Sequence, residues 1–178
     1  MEEIEKQLNQ LSVSNKKYYE FEFSKLNETE KQRLEELVQR MVKSGAKKPL
    51  DWAWSEFREG IPQWARFMIL KEMYLSAYDV AGNIDAAEEF NPEMNQNYDE
   101  MSSAIGTEKL NQFLTSYAKG MLYNMLGIFD EGNFDYESND SWILMTQNRE
   151  TDELGEPVSG LHEDFLEFEE QIEIPPQV

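Results

Sequence analysis

Apolar residues recur at three- and four-residue steps along most of the chain, and that spacing predicts a mainly α fold. Ile4, Leu8 and Leu11 mark a short helix over about 2–12. Asn27-Glu28-Thr29-Glu30 places a capping side chain three residues ahead of a glutamate, a helix-start signature. Leu34, Leu37, Val38, Met41 and Val42 follow in phase and Gly45 offers a stop, which predicts a helix over 28–44. Asp51 can cap a short helix carrying Trp52 and Phe57, closed by Gly60 and Pro62. Pro62 suits the first turn of the next helix, whose apolar residues run from Trp64 to Tyr78, with Gly82-Asn83 as the expected end. Residues 83–97 read as a polar connection with room for a short helix at 85–90, and a further helix is expected over 93–104.

The strongest periodicity follows Thr107. Leu110, Phe113, Leu114, Tyr117, Met121, Leu122, Met125, Leu126 and Phe129 form one face, which predicts a central core helix running to about 129. Gly120 and Gly127 lie inside it, each costing about 1 kcal/mol relative to Ala, and close helix crossings would account for them. A last helix is expected to bury Leu161, Phe165 and Phe168, ending by Pro175-Pro176. Two segments break the helical pattern. Tyr19, Phe21 and Phe23 alternate, which suits a short strand or an extended docked segment, with a helix start as the alternative. Trp142–Thr146 is the best strand candidate, and Gly155, Pro157 and Gly160 then predict a loop or an irregular hairpin. The expected class is therefore mainly α in a single helical domain, residues 1–178, with a minor β element near 141–147 that leaves α+β open.

Composition supports folding: 40% of residues are apolar and 12% aromatic, enough for a real core in 178 residues. Charge is distributed unevenly. Residues 1–72 hold 13 Lys/Arg and 13 Asp/Glu, whereas residues 73–178 hold 3 and 23, so the net charge of −20 lies wholly in the second stretch. The acidic, amphipathic start lacks the basic and apolar regions of a signal peptide, and the longest apolar run is Phe67–Leu70. A cytoplasmic protein without a membrane span is expected.

Candidate chemistry is sparse. No cysteine is present, which excludes thiol nucleophiles, disulfides and cysteine-ligated metals. His162, the only histidine, has the acidic neighbours Glu163 and Asp164, but adjacent helical residues do not face each other, and its i+4 neighbour is Leu166. A serine hydrolase triad has one available base and no Gly-x-Ser-x-Gly elbow. The run Asp130–Asp140 fails the calcium-loop pattern, since Asp135 stands where glycine is needed and Ser141 where glutamate is. No phosphate-binding glycine motif occurs. Met68, Met73, Met121, Met125 and Met145 read as core filler. No catalytic, metal-binding or cofactor-binding residue is assigned, and no cofactor is expected.

An acidic field of this size repels nucleic-acid phosphates and anionic membranes and attracts basic surfaces. A basic protein partner is therefore expected, without direct nucleic-acid binding or membrane association; an acidic surface serving only solubility is the plain alternative. The acids concentrate in 79–100, 130–140, 150–156 and 163–173, which places the expected partner-binding surface at Asp130, Glu131, Asp135, Glu137, Asp140, Asp152, Glu153, Glu163, Asp164 and Glu167.

Three stretches, Leu122–Gly132, Trp142–Met145 and Gly160–Leu166, give residues 107–168 a resemblance to the small acidic immunity proteins that bacteria pair with polymorphic or contact-dependent toxins. The resemblance implies inhibition of a basic toxin without catalysis, and implies no particular binding residues. Two other readings stay open. One is an enzyme or small-ligand protein with a helical pocket rimmed by His162 and nearby carboxylates; the other is a nucleic-acid mimic that inhibits by occupying a basic cleft.

Overall fold

The computed structural model describes residues 2–132 and 141–174. The fold is mainly α. Among the described residues nine α-helices accompany one two-stranded antiparallel sheet. No helix among them is long and apolar enough to cross a membrane. Backbone contacts divide the chain into two compact units. Unit 1 comprises Met1–Met68, Leu144–Val158 and Glu170–Ile172; unit 2 comprises Ile69–Ile143, Ser159–Glu169 and Glu173–Val178.

Unit 1 opens with α1 (Glu2–Leu8), α2 (Val13–Phe23), α3 (Glu28–Lys43) and α4 (Pro49–Glu59), followed by the first part of α5 (Gln63–Tyr78). The start of α3 is as the sequence indicates. Asn27 accepts from the Glu30 N–H, and the Glu30 side chain accepts from the Asn27 N–H, closing a capping box. α3 packs on α4, and α1 lies against both, burying Ile4, Leu34, Val38, Met41, Leu50 and Ala53. Glu35 of α3 is buried too. Its carboxylate accepts from the N–H groups of Glu3 and Ile4, at 2.9 and 3.2 Å, and so caps α1 from a neighbouring helix.

The segment 18–23 is helical, not extended. Ser12 caps α2, and Tyr19 and Phe23, one turn apart, pack on Trp54 while Phe21 stays exposed. The i, i+4 pair wins over the alternation because only one face of this segment has a core to meet. Asp51 does not cap α4, which begins at Pro49; instead it accepts from the Tyr19 hydroxyl at 2.6 Å. Burial, then this bond to Asp51, raises the Tyr19 pKa above that of an ordinary tyrosine. Strand β1 (Leu144–Gln147) begins two residues later than expected and pairs with β2 (Leu154–Val158) in an irregular hairpin, with the register shifting between Met145 and Gln147.

Unit 2 continues with the end of α5, then α6 (Val80–Ala87), α7 (Met94–Ile105), α8 (Thr107–Glu131) and α9 (Leu161–Phe165). Gly82 does not stop a helix. Asp79 breaks α5 and caps α6 by accepting from the Gly82 N–H at 3.0 Å. The cap position of α8 is Gly106, and the Thr107 hydroxyl bonds the Ser102 hydroxyl at 2.7 Å. α6, α7 and α9 all pack on α8. Leu161, Phe165 and Phe168 are buried as their spacing indicates, but α9 ends at Phe165 and a 3₁₀ turn, Phe168–Gln171, follows. A Cβ built at Gly120 or Gly127 meets nothing within 4 Å, so neither glycine serves a close helix crossing. Pro175-Pro176 lies outside the described residues.

Candidate functional site

α8 is not a core helix over its whole apolar face. Its apolar residues spread over roughly two-thirds of the helix circumference, more than the neighbouring helices cover. Leu110 and Leu126 are buried, together with Asn111 and Thr115. Phe113 (61% exposed), Tyr117 (61%), Met121 (51%), Met125 (43%) and Ile128 (44%) face solvent in a row. Met121 and Met125 are therefore not core filler. The Phe113 and Tyr117 rings lie nearly parallel with centroids 6.5 Å apart. Trp142, also half-exposed, donates from its indole nitrogen to the Ile128 carbonyl at 3.1 Å, which places an aromatic ring at the far end of the row.

Beside this row runs an apolar groove. A cavity of about 270 Å³ is lined by Ala77, Val80, Ile84, Met94 and the Leu114–Met125 part of α8. A second, of about 360 Å³, shares Ile84, Met94 and Leu114 with it and adds Tyr98, Glu100 and Met101. Helices α6 and α7 thus form one wall and α8 the other. The exposed acids Asp85, Asp99, Glu100 and Glu108 stand on the same three helices.

The cations of α8 are Lys109 and Lys119, and Lys119 is engaged. Its ammonium donates to Glu169 at 2.7 Å and to the Tyr78 hydroxyl at 2.9 Å, and the Tyr78 hydroxyl donates to the other Glu169 oxygen at 2.5 Å. Burial alone would lower the Lys119 pKa, but the bonds to Glu169 and Tyr78 outweigh it and hold the pKa above the ordinary lysine value. Lys119 and then Tyr78 hold Glu169 below the ordinary carboxylate value. These directions oppose the ones a general base or nucleophile requires; the cluster ties Glu169, in the turn after α9, to α8 and α5.

The acids expected to face a partner are dispersed. Asp130 lies in the last turn of α8 with its side chain only 4% exposed. One of its oxygens accepts from the His162 backbone N–H at 2.8 Å and meets the ring Nδ1 at 2.7 Å. Toward an ionised carboxylate, which can only accept, Nδ1 is the donor. Asp130 thereby caps α9, which has no side-chain cap of its own, and is not part of an exposed acidic surface. Glu131, Glu163 and Glu167 are exposed in unit 2, and Asp164 is half-buried there. Asp152 and Glu153 are exposed in the turn of the unit 1 hairpin. Asp135, Glu137 and Asp140 lie outside the described residues.

The partner of His162 is thus Asp130, 32 residues away, and not its sequence neighbours. The Tyr123 ring meets the imidazole edge-on at 6.2 Å. No other described residue hydrogen-bonds the imidazole, so no nucleophile among the described residues is aligned with it. One signal could have revealed the pairing: a carboxylate in the last turn of a helix opposes the macrodipole and needs a compensating donor. No protein-family model, curated protein or solved structure matches the chain.

Proposed function

We propose that the chain is a non-enzymatic, cytoplasmic protein-binding module that neutralises or regulates a basic partner, a toxin in the immunity-type reading. The observation that carries this reading is the exposed α8 row. Five large apolar side chains in sequence on one helix exceed the scattered exposure of an ordinary surface and mark an interaction site. Its setting argues for the sign of the partner: the described residues of unit 2 hold 3 Lys/Arg against 16 Asp/Glu, a net charge of −13. Such a field accelerates encounter with a basic surface, and the apolar row would supply the desolvated contact that slows its release.

Co-expression with the product of each neighbouring gene tests this. The reading expects one product that arrests growth alone, growth restored by this chain, and weaker protection from the Tyr117→Glu, Met121→Glu double variant. Neighbouring products that are all harmless, or a toxic one that stays toxic, would refute the immunity role. The Asp130–His162 pair is the one observation favouring an enzyme. An enzyme that uses its only imidazole should lose its effect in His162→Gln, whereas a binding module should keep most of its protection.

A further inference from the structure

The surface described above also restricts the shape of what fits it. We propose that the groove between α8 and the α6–α7 pair receives an amphipathic helix of the partner, with one aliphatic stripe and Lys or Arg along its flanks. This rests on the reading of the chain as a protein-binding module and adds the form of the bound element.

Three features select that occupant. The first is geometry. Tyr117, Met121 and Met125 of the row line the groove at four-residue steps of about 6 Å, and its α8 wall, Leu110 to Met125, spans about 22 Å. That spacing matches the i, i+3, i+4, i+7 anchors of a second helix laid along the groove. A strand would need an unpaired sheet edge to add to, and the described residues of unit 2 contain no strand. The second is lining chemistry. Met94, Met101, Met121 and Met125 line the two connected cavities. Unbranched thioether side chains adapt to aliphatic anchors of differing shape. The third is charge. A second copy of this chain would set two strongly negative units face to face, which like-charge repulsion disfavours. A nucleic acid or an anionic membrane meets the same repulsion. A helix with basic flanks is attracted by the acids on α6, α7 and α8.

The test uses the full chain and three labelled peptides of about 16 residues, long enough to cover the row. The first is a Leu/Lys peptide patterned as one apolar stripe, the second has the same composition with the leucines scattered, and the third replaces Lys by Glu. Fluorescence anisotropy should give saturable binding of the first, at least about tenfold weaker binding of the second, and none of the third. Methyl spectra of the unaltered protein should show Met94, Met121 and Met125 shifting on binding while Met41, in the core of unit 1, does not. Met121→Glu should weaken the first peptide by about tenfold or more, and Phe21→Glu in unit 1 should not. Equal binding of patterned and scattered peptides, or shifts confined to other methionines, overturns the proposal; the methyl readout does so even if a variant misfolds. If the patterned peptide fails while a neighbouring toxin is still neutralised, only the helical occupant is wrong. If the peptide binds and no neighbouring product is toxic, the immunity role falls and the groove assignment stands.

Discussion

Units 1 and 2 draw on similar residue types and treat them differently. Unit 1 is nearly balanced, with 13 Lys/Arg and 17 Asp/Glu, and its aromatics largely find partners inside the unit. Trp54 meets Tyr19, Phe23 and Phe57, and the Arg40 guanidinium lies 3.6 Å over the Trp64 ring. Unit 2 is strongly acidic and leaves part of its apolar material uncovered. Among the described residues, eleven of the sixteen exposed large hydrophobic ones belong to it, and five of those form the α8 row. Uncovered apolar surface favours association and a high net charge opposes indiscriminate association. Under the proposed function, together they would keep the surface apart from its own copies and from other acidic proteins while leaving it open to a basic partner.

The contrast is broken most severely in the core. Phe67, fully buried in unit 1 against Trp52, should cost about 3–5 kcal/mol as Phe67→Ala. Phe113→Ala on α8 should stay within about 0.5 kcal/mol. Urea denaturation of the two variants measures both, and a similar loss from each would mean that the α8 row is covered after all.

Next in size is the link between α8 and α9. Asp130→Ala removes the acceptor for the half-buried His162 N–H and should cost about 1–3 kcal/mol. Hydrogen exchange should locate the loss at residues 161–165.

Glu35 gives the corresponding effect in unit 1. Glu35→Ala should destabilise by about 1–2 kcal/mol through the lost cap on α1. Burial pushes the Glu35 pKa up, but its hydrogen bonds, those from the Glu3 and Ile4 N–H groups and the Gln39 amide among them, outweigh it, so the folded value lies below the ordinary 4.5. A carboxylate lowered in the folded state contributes stability that is present above its unfolded pKa and is lost as the pH falls through its folded one. The gap between wild type and Glu35→Gln should therefore be widest above about pH 4.5 and shrink in stronger acid.

A smaller effect has the opposite sign. Gly120→Ala faces open space on a helical backbone and should stabilise unit 2 by about 0.5–1 kcal/mol, read as a higher melting temperature.

Where the sequence is legible, the cause is local. Asn27 and Glu30 sit three residues apart, and their capping box needs nothing beyond the segment itself. The apolar phase of α8 is equally plain over 107–131, but phase reports which side is apolar and not how much of it neighbours cover. Nine apolar positions were too many for α6, α7 and α9 to bury, so a face expected in the core lies at the surface. Alternation at Tyr19, Phe21 and Phe23 misled for a related reason: two of three aromatics also satisfy i, i+4, and Trp54 decides between the patterns from 31 residues away. Asp130 was hidden by the same non-locality. Read along the chain it opens an acidic run, whereas in space it is the buried acceptor for His162.

Photocross-linking in the source cell shows whether the α8 row is the partner-facing surface. A photoreactive amino acid replaces Tyr117 in one strain and the comparably exposed Phe21 of unit 1 in another. Position 117 should give a discrete adduct with one basic protein, displaced by the patterned Leu/Lys peptide, and position 21 none. An adduct from position 21 with position 117 silent would contradict a partner-facing α8 row.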